Sequence, residues 1–297
     1  MKILVTGGTG FIGQHLIANR LRAGDEIYCY SRDANKVTSL FGDTVTPVTE
    51  MPPASDLRVD AVVNLAGEAI ADKRWSEERK QLLRESRINL TAKLVEWISG
   101  LEEKPEVLIS GSAIGYYGSV KGDKHLNESA AVTPGFTHSL CNDWEEEALK
   151  AEKAGIRVCL IRTGIVLGNG GALAKMHLPF KMGLGGPIGS GDQWMSWIHI
   201  DDEVEIIVML LTHPQLSGAF NLTAPNAVTN REFTKALGKA LHRPAILPMP
   251  GYAVKLMLGE GAELLLEGQR VDPEKLLEVG YKFKYTDLND ALKVIVD

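Results

Sequence analysis

The feature that most constrains this chain lies at its start. Lys2-Ile3-Leu4-Val5-Thr6 is a short apolar run of strand type. It leads directly into Gly7-Gly8-Thr9-Gly10-Phe11-Ile12-Gly13, with glycines recurring at Gly7, Gly10 and Gly13. Gln14 to Arg22 then places apolar residues at Leu16, Ile17 and Leu21, which is helical spacing, and Gly24 is a natural stop. The spacing has a chemical reason. Gly7 permits a sharp turn off the strand, Gly10 lets backbone approach a pyrophosphate, and Gly13 lets the helix pack on the strand. The helix N-terminus offers free N–H groups and a positive dipole to the anion. A purely structural glycine turn is the alternative. A strand, a glycine turn and a helix in this order predict a dinucleotide site formed by Gly7, Thr9, Gly10, Phe11, Ile12 and Gly13.

The second strand, Glu26-Ile27-Tyr28-Cys29-Tyr30, ends where an NAD site usually carries an acid, about 20 residues after the loop. This chain has Ser31 and Arg32 there. A hydroxyl and a guanidinium suit a 2′-phosphate, which a carboxylate would repel. NADP is therefore the expected cofactor, with Lys36 as a further cation. A shift of two positions would bring Asp33 into the acidic place, and Arg32 would then be an ordinary solvated cation.

Further strand-like runs lie at Ala61 to Leu65, Val107 to Ser110 and Val158 to Ile161. Amphipathic helix patterns at Glu77 to Leu101 and Leu140 to Ala154 separate them. Apolar strands alternating with helices predict an α/β fold, a Rossmann-like doubly wound parallel sheet covered on both faces. After about Thr163 the texture changes to a Gly-rich stretch, then Phe220 to Leu222, a helix at Asn230 to Leu241, and short helical pieces. The expected division is a dinucleotide-binding domain at 1–165, with 195–225 returning to it. A smaller, mostly helical C-terminal lobe would comprise 166–194 and 226–297. Of 297 residues, 30 are glycine, above the usual share of about 7%. Apolar residues at 44% and charged residues at 24% are ordinary for a globular chain and exclude disorder. A net charge of −6 does not favour nucleic acid as a partner. No apolar run reaches the roughly 18 residues of a membrane span. Three cysteines, Cys29, Cys141 and Cys159, have no metal-type spacing and fit reduced thiols in a cytoplasmic protein.

Several further motifs now line up: Asn64-Leu65-Ala66-Gly67 ending a strand, Arg87-Ile88-Asn89 in the next helix, Ser110-Gly111-Ser112-Ala113 ending another strand, and Trp197-Ile198-His199-Ile200-Asp201-Asp202. With the glycine loop, their order and spacing resemble the extended short-chain dehydrogenase/reductase superfamily, the branch holding sugar-nucleotide epimerases. Gly164 to Gly168, Leu184 to Gly191 and Leu266 to Val271 resemble its "epimerase family protein" subgroup. The resemblance implies that Leu65, Ala66 and Gly67 lie along the cofactor. It also implies that Arg87 reaches across it, unless Arg87 is one more charge on a surface helix. His199 and Asp201 look like metal ligands on paper, but this segment is structural in the superfamily, so no metal is expected.

The superfamily works with Ser or Thr and a Tyr-x-x-x-Lys helix, in which lysine and the nicotinamide charge lower the tyrosine pKa. This chain departs from that pattern. Tyr117-Gly-Ser-Val-Lys121 matches the string but sits in a strand-end loop and reads as coincidence. The helix expected to carry the pair has Thr137 and Cys141 in its places, with His138 beside them, and no Tyr-Lys pair between Phe136 and Lys150. Candidate catalytic groups are therefore Ser112, whose strand-end context is intact, Tyr116 and Cys141. Glu128 occupies a place where the superfamily often has an acid.

On the substrate side, the Gly183 to Gly191 loop offers many N–H groups to an anion or sugar, or else is a structural linker, and Trp194 could stack on a ring. The expected partner is a small polar molecule such as a sugar or nucleotide-sugar; the oligomeric state is not legible. Two functions fit. One is an NADP-dependent oxidoreductase or epimerase-like enzyme. The other is a non-enzymatic NADP(H)-binding sensor or scaffold that has lost the catalytic pair.

Overall fold

The computed structural model describes residues 1–53, 56–120 and 122–296. Seven strands form one sheet: β1 (Lys2–Thr6), β2 (Glu26–Tyr30), β3 (Val45–Val48), β4 (Ala61–Asn64), β5 (Val107–Ala113), β7 (Arg157–Thr163) and β11 (Gly218–Leu222). Their order is β11-β7-β5-β4-β1-β2-β3, and every pairing is parallel. This is the doubly wound arrangement, and its strand order reverses between β1 and β4. Ligands bind outside the carboxyl ends of the strands at such a reversal.

The helices follow from the apolar patterning. α1 (Phe11–Arg22) buries Gly13, Leu16 and Ile17 against one sheet face, where they join Ile3, Val5, Val63 and Ile109. On the other face α4 (Leu90–Gly100) and α5 (Phe136–Leu149) cover Leu4, Val62, Leu108 and Val158. The sequence pattern shows one helix from Glu77 to Leu101. The chain forms α3 (Glu77–Arg84), a π-helical turn at Glu85–Asn89, then α4. β3 and α2 (Ala34–Phe41) are additions to the sequence reading. β3 lies at the sheet edge and carries Pro47, which the edge tolerates because no ladder N–H is required there.

After β7 the chain leaves the sheet. Gly164 N–H still reaches Leu222 O, but Ile165 N–H turns to Ser196 O. β8 (Ile165–Leu167) then pairs with β10 (Trp197–His199) in a separate ribbon. Of the two late segments expected to return to the large sheet, Phe220 to Leu222 does so as its edge strand. Trp197 to His199 pairs with β8 instead, and α7 (Ile200–Thr212), which follows, packs on the sheet face. A C-terminal lobe is built from α6 (Gly171–Lys181), α8 (Asn230–Ala240), α9 (Gly251–Leu258), α10 (Glu263–Leu266) and α12 (Leu288–Val296). Its core is Leu173, Phe180, Trp197, Phe233, Leu237 and Leu292. Short β6 (His125–Leu126) and β13 (Arg270–Val271) pair in parallel and tie the lobe to the loop after β5. α11 (Glu274–Glu278) turns back to β11, sending Leu276 into the main core.

Candidate functional site

At the end of β1 the glycine loop is shaped by contacts that leave no room for side chains. Gly7 has φ +68°, and a Cβ there would lie 2.6 Å from Leu65 carbonyl carbon. A Cβ on Gly13 would lie 2.4 Å from Gly7 O. Gly10 N–H donates to Gly7 O at 2.9 Å, closing the turn. Gly10 caps α1 without a side-chain hydrogen bond, and the first turn of α1 holds no acid. The positive end of α1 is thus presented unneutralised at the strand-order reversal, the chemistry a pyrophosphate requires. Gln14 Nε2 donates to Thr9 O and steadies the loop. Phe11 lies against the turn entering α6: Cβ atoms on Gly168, Gly170 and Gly171 would meet its ring at 2.8, 2.5 and 3.0 Å.

At the end of β2, Asp33 accepts from Lys36 N–H and serves as the N-cap of α2. Ser31 Oγ donates to Asp33 O at 3.1 Å. Arg32 is exposed, and its side chain has no hydrogen-bond or ion-pair partner among the described residues. The acid that could have held a ribose is therefore engaged by its own helix, while the guanidinium is free.

A buried polar network fixes the strand ends between these points. Thr6 Oγ1 donates to Asn64 Oδ1 at 2.6 Å and accepts from Ala66 N–H at 3.2 Å. Asn64 Nδ2 donates to Thr91 Oγ1 and Ser110 Oγ. Arg87 lies on the π-helical turn, a feature frequent at functional sites. Its guanidinium donates to Leu83 O at 3.1 Å and Glu68 O at 2.9 Å, and stands over the Trp144 ring. Arg87 thus holds the loop after β4 in place, with Gly67 against its guanidinium. Burial lowers its pKa from the ordinary arginine value.

The three catalytic candidates gather at the end of β5, in unequal states. Ser112 Oγ donates to Glu145 Oε1 at 2.6 Å, so its proton is committed. Cys141 is buried, and desolvation, with Glu145 adding repulsion, pushes its thiol up to about 12. Burial outweighs the favourable charge of Arg87. Tyr116 is half-buried, its hydroxyl has no hydrogen bond among the described residues, and Arg162 Cζ sits 3.4 Å from its ring centroid. Thr137 and Cys141 do face this turn, lying 3.3 and 3.6 Å from where a Gly115 Cβ would be. His138 approaches Tyr116 O through Nδ1 at 2.6 Å.

Beneath them lies a buried ion pair that sequence reasoning missed. Arg162 grips Glu145 with both ends of its fork, Nε to Oε1 and Nη2 to Oε2, each at 2.8 Å. Arg162 also donates to Tyr117 Oη and Glu128 O, both at 3.1 Å. Burial works against its charge, and Glu145 more than offsets this, leaving arginine held more firmly protonated than usual. Tyr117 is fully buried and donates to Asn221 Oδ1 at 2.7 Å, a packing role; its string partner Lys121 lies outside the described residues. Glu128 accepts from Asn221 N–H and Lys275 N–H, tying β11 to α11, and burial raises its pKa.

Comparison with known proteins agrees with this geometry. A sequence model described as the NAD dependent epimerase/dehydratase family matches residues 3–223, and one described as a domain of unknown function matches 249–295. The epimerase family protein SDR39U1 homolog, chloroplastic, of Arabidopsis thaliana is 44% identical over 305 residues, covering 100% of this chain and 87% of that protein. The chain belongs to the NAD dependent epimerase/dehydratase family. The crystal structure of human epimerase family protein SDR39U1 (isoform2) with NADPH superposes with a TM-score of 0.90. It is 35% identical and covers 100% of this chain and 99% of that one. The nucleoside-diphosphate sugar epimerase from Corynebacterium glutamicum gives a TM-score of 0.80 at 30% identity, covering 100% of this chain and 58% of that one. The fold and the resemblance to the epimerase family protein subgroup are thereby borne out.

The segments expected to meet a substrate are packed against the protein itself. Trp194 is covered by Arg270, whose Cζ lies 4.2 Å from the ring, and Gly268 packs on its backbone. In the Gly183 to Gly191 loop Gly185 and Gly186 are closely packed, a Cβ meeting the Phe180 ring at 2.5 Å and Leu247 O at 2.1 Å, whereas a Gly183 Cβ would meet nothing. His199 caps α7, accepting from Asp201 N–H, and stacks on Tyr285. No described helix is long and apolar enough to cross a membrane.

Proposed function

We propose that this chain binds NADPH and moves hydride between its nicotinamide and a carbonyl or alcohol carbon of a small polar molecule, nucleotide-linked sugars being the first class to examine. One observation carries the cofactor choice: Arg32 is free at the end of β2 while Asp33 is spent on capping α2. The glycine turn fits the group: a Cβ at Gly7 or Gly13 would collide with the backbone of Leu65 or of the turn itself, so only glycine there allows the tight turn that leaves the α1 N-terminus open to an anion. Gly7, Thr9, Gly10, Phe11, Ile12 and Gly13 would hold the pyrophosphate. Ser31 and Arg32 would hold the 2′-phosphate, and Leu65, Ala66 and Gly67, kept in place by Arg87, would line the remainder. NADPH, when bound, supplies the hydride. The protein's part is proton handling at the end of β5. Tyr116 is the candidate with a free hydroxyl, and Ser112, its own proton given to Glu145, can still accept a hydrogen bond and orient a substrate hydroxyl. The human relative's NADPH and the Corynebacterium relative's name support this reading. Three buried, unpaired cysteines suit a reducing compartment, and we place the chain in the cytoplasm on that ground.

A second reading, a sensor or scaffold without turnover, is favoured by one observation. The places of the usual Tyr and Lys are held by Thr137 and Cys141, the latter with its proton locked on. Fluorescence titration with NADPH and NADH, followed by NADPH oxidation against carbonyl and nucleotide-sugar panels with Tyr116→Phe and Ser112→Ala controls, separates the two. Tight NADPH binding with no turnover on any panel selects the sensor, and equal affinity for NADH refutes the cofactor assignment.

A further inference from the structure

The loop between β4 and α3 is rigid at both ends and loosely held in the middle. At its base, Ala66 N–H donates to Thr6 Oγ1, Glu68 N–H donates to Ser86 Oγ at 3.1 Å, and Arg87 holds Glu68 O. Arg79, nearly fully buried, donates to Glu68 Oε1 and to Ala69 O. At the far end Trp75 is buried, its Nε1 donating to Ile70 O and its N–H to Leu258 O, with its ring edge-on to Phe136. Between them Ala71, Asp72, Lys73 and Arg74 are exposed. Among the described residues, their one hydrogen-bonded or ionic tie to the C-terminal lobe is the ion pair of Asp72 with Lys175 on α6.

The position of that pair gives it meaning. Asp72 stands on the loop whose base touches the glycine turn, Leu65 and Ala66 lying under Gly7. Lys175 stands one helical turn past Gly171, whose backbone lies on the Phe11 ring at the start of α1. The pair therefore connects two walls that both rise from the glycine cradle, one from the Rossmann sheet and one from the C-terminal lobe. We propose that Ala71 to Arg74 is a gate over the glycine cradle, hinged at its two pinned ends, Ala69–Ile70 and Trp75, and latched by Asp72–Lys175. The latch is half exposed on both sides, 42% for Asp72 and 61% for Lys175, so it is weak enough to open in ordinary thermal motion. The proposal rests on the reading of NADPH as ligand.

The test is stopped-flow fluorescence on the full chain with NADPH as probe, measuring association and displacement by excess NADP⁺. Asp72→Asn and Lys175→Met should each raise both rates by about two- to fivefold with the dissociation constant nearly unchanged, as expected for an exposed pair. The charge-exchanged double variant, Asp72→Lys with Lys175→Asp, should restore the original rates. Rates that stay unchanged in both single variants overturn the gate. So does a Lys175→Met variant that associates slowly and binds weakly while Asp72→Asn does not, which would make Lys175 a phosphate ligand. Failure of NADPH to bind the unaltered chain removes both the cofactor reading and the gate, whereas normal binding with unaltered rates removes the gate alone.

Discussion

Removing Arg162 is the sharpest perturbation the structure offers. Its side chain and that of Glu145 are 5% and 6% exposed, and the two are joined by a double hydrogen bond. Arg162→Met leaves the Glu145 carboxylate buried with Ser112 as its remaining hydrogen-bond donor, and strips a donor from Tyr117 Oη and Glu128 O. Breaking a buried pair from one side costs about 3–5 kcal/mol, because the surviving charge is left uncompensated. That is a large part of a typical total of about 5–15 kcal/mol. Glu145→Leu should cost a similar amount, since it leaves the guanidinium buried against tyrosines. The double variant, Arg162→Met with Glu145→Leu, buries no charge and should be well short of the sum of the two, and closer to the unaltered chain than either single variant. Urea unfolding followed by circular dichroism gives all three numbers, and the coupling energy follows from the cycle. A single variant losing under about 1 kcal/mol, or two losses that simply add, would refute the argument that this pair is a desolvated, mutually dependent unit.

Four further outcomes follow from other residues. Glu203 is fully buried, accepts from Thr163 Oγ1, and is pushed by desolvation up to about 8. The unfolded chain releases this proton near the ordinary glutamate value of about 4.3, so the native state binds the extra proton between the two values. This group's contribution therefore falls by about 1.4 kcal/mol per pH unit as pH rises through that window, then levels off above about 8. Unfolding free energies of Glu203→Gln minus those of the unaltered chain should climb across the same window, and a pH-independent difference would sink the idea. Arg32→Ala should reduce the preference for NADPH over NADH by roughly ten- to a hundredfold, the worth of a charge-assisted contact to phosphate, read by fluorescence titration. Gly13→Ala forces a Cβ to within 2.4 Å of Gly7 O and should abolish NADPH binding in the same assay. Cys141, with its thiol at about 12, should resist iodoacetamide at neutral pH in the folded chain and react only after denaturation, as mass spectrometry would show.

What the sequence displayed, and what it hid, divides by the range of the interaction. The glycine cradle was legible because turn, cradle and helix start are consecutive, and their geometry is set by neighbours within a few positions. The strand ends at Asn64 and Ser110 were legible because buried parallel strands are short apolar runs with polar residues at one end. The π-helical turn was hidden because one π turn at Glu85–Asn89, within a charge-laced helix, leaves an apolar period that still looks continuous. The ion pair was half visible. Arg162 closes the run Val158-Cys159-Leu160-Ile161, and a charge there signals a buried partner. Glu145 lies four residues past Cys141 and eight past Thr137, on the helix face already assigned to the site. Joining them required the placement of α5 over β7, which no local pattern encodes. The same limit applies to Glu128 and Lys275, 147 positions apart, and to Asp72 and Lys175, 103 apart. The first of these contacts, Arg162 with Glu145, decides which candidate groups at the end of β5 are held. Tyr116 is left as the open hydroxyl because Arg162, Glu145 and Tyr117 satisfy one another beneath it. Which candidate group at the end of β5 is free is therefore set by the packing of α5 on β7, which the local string does not encode.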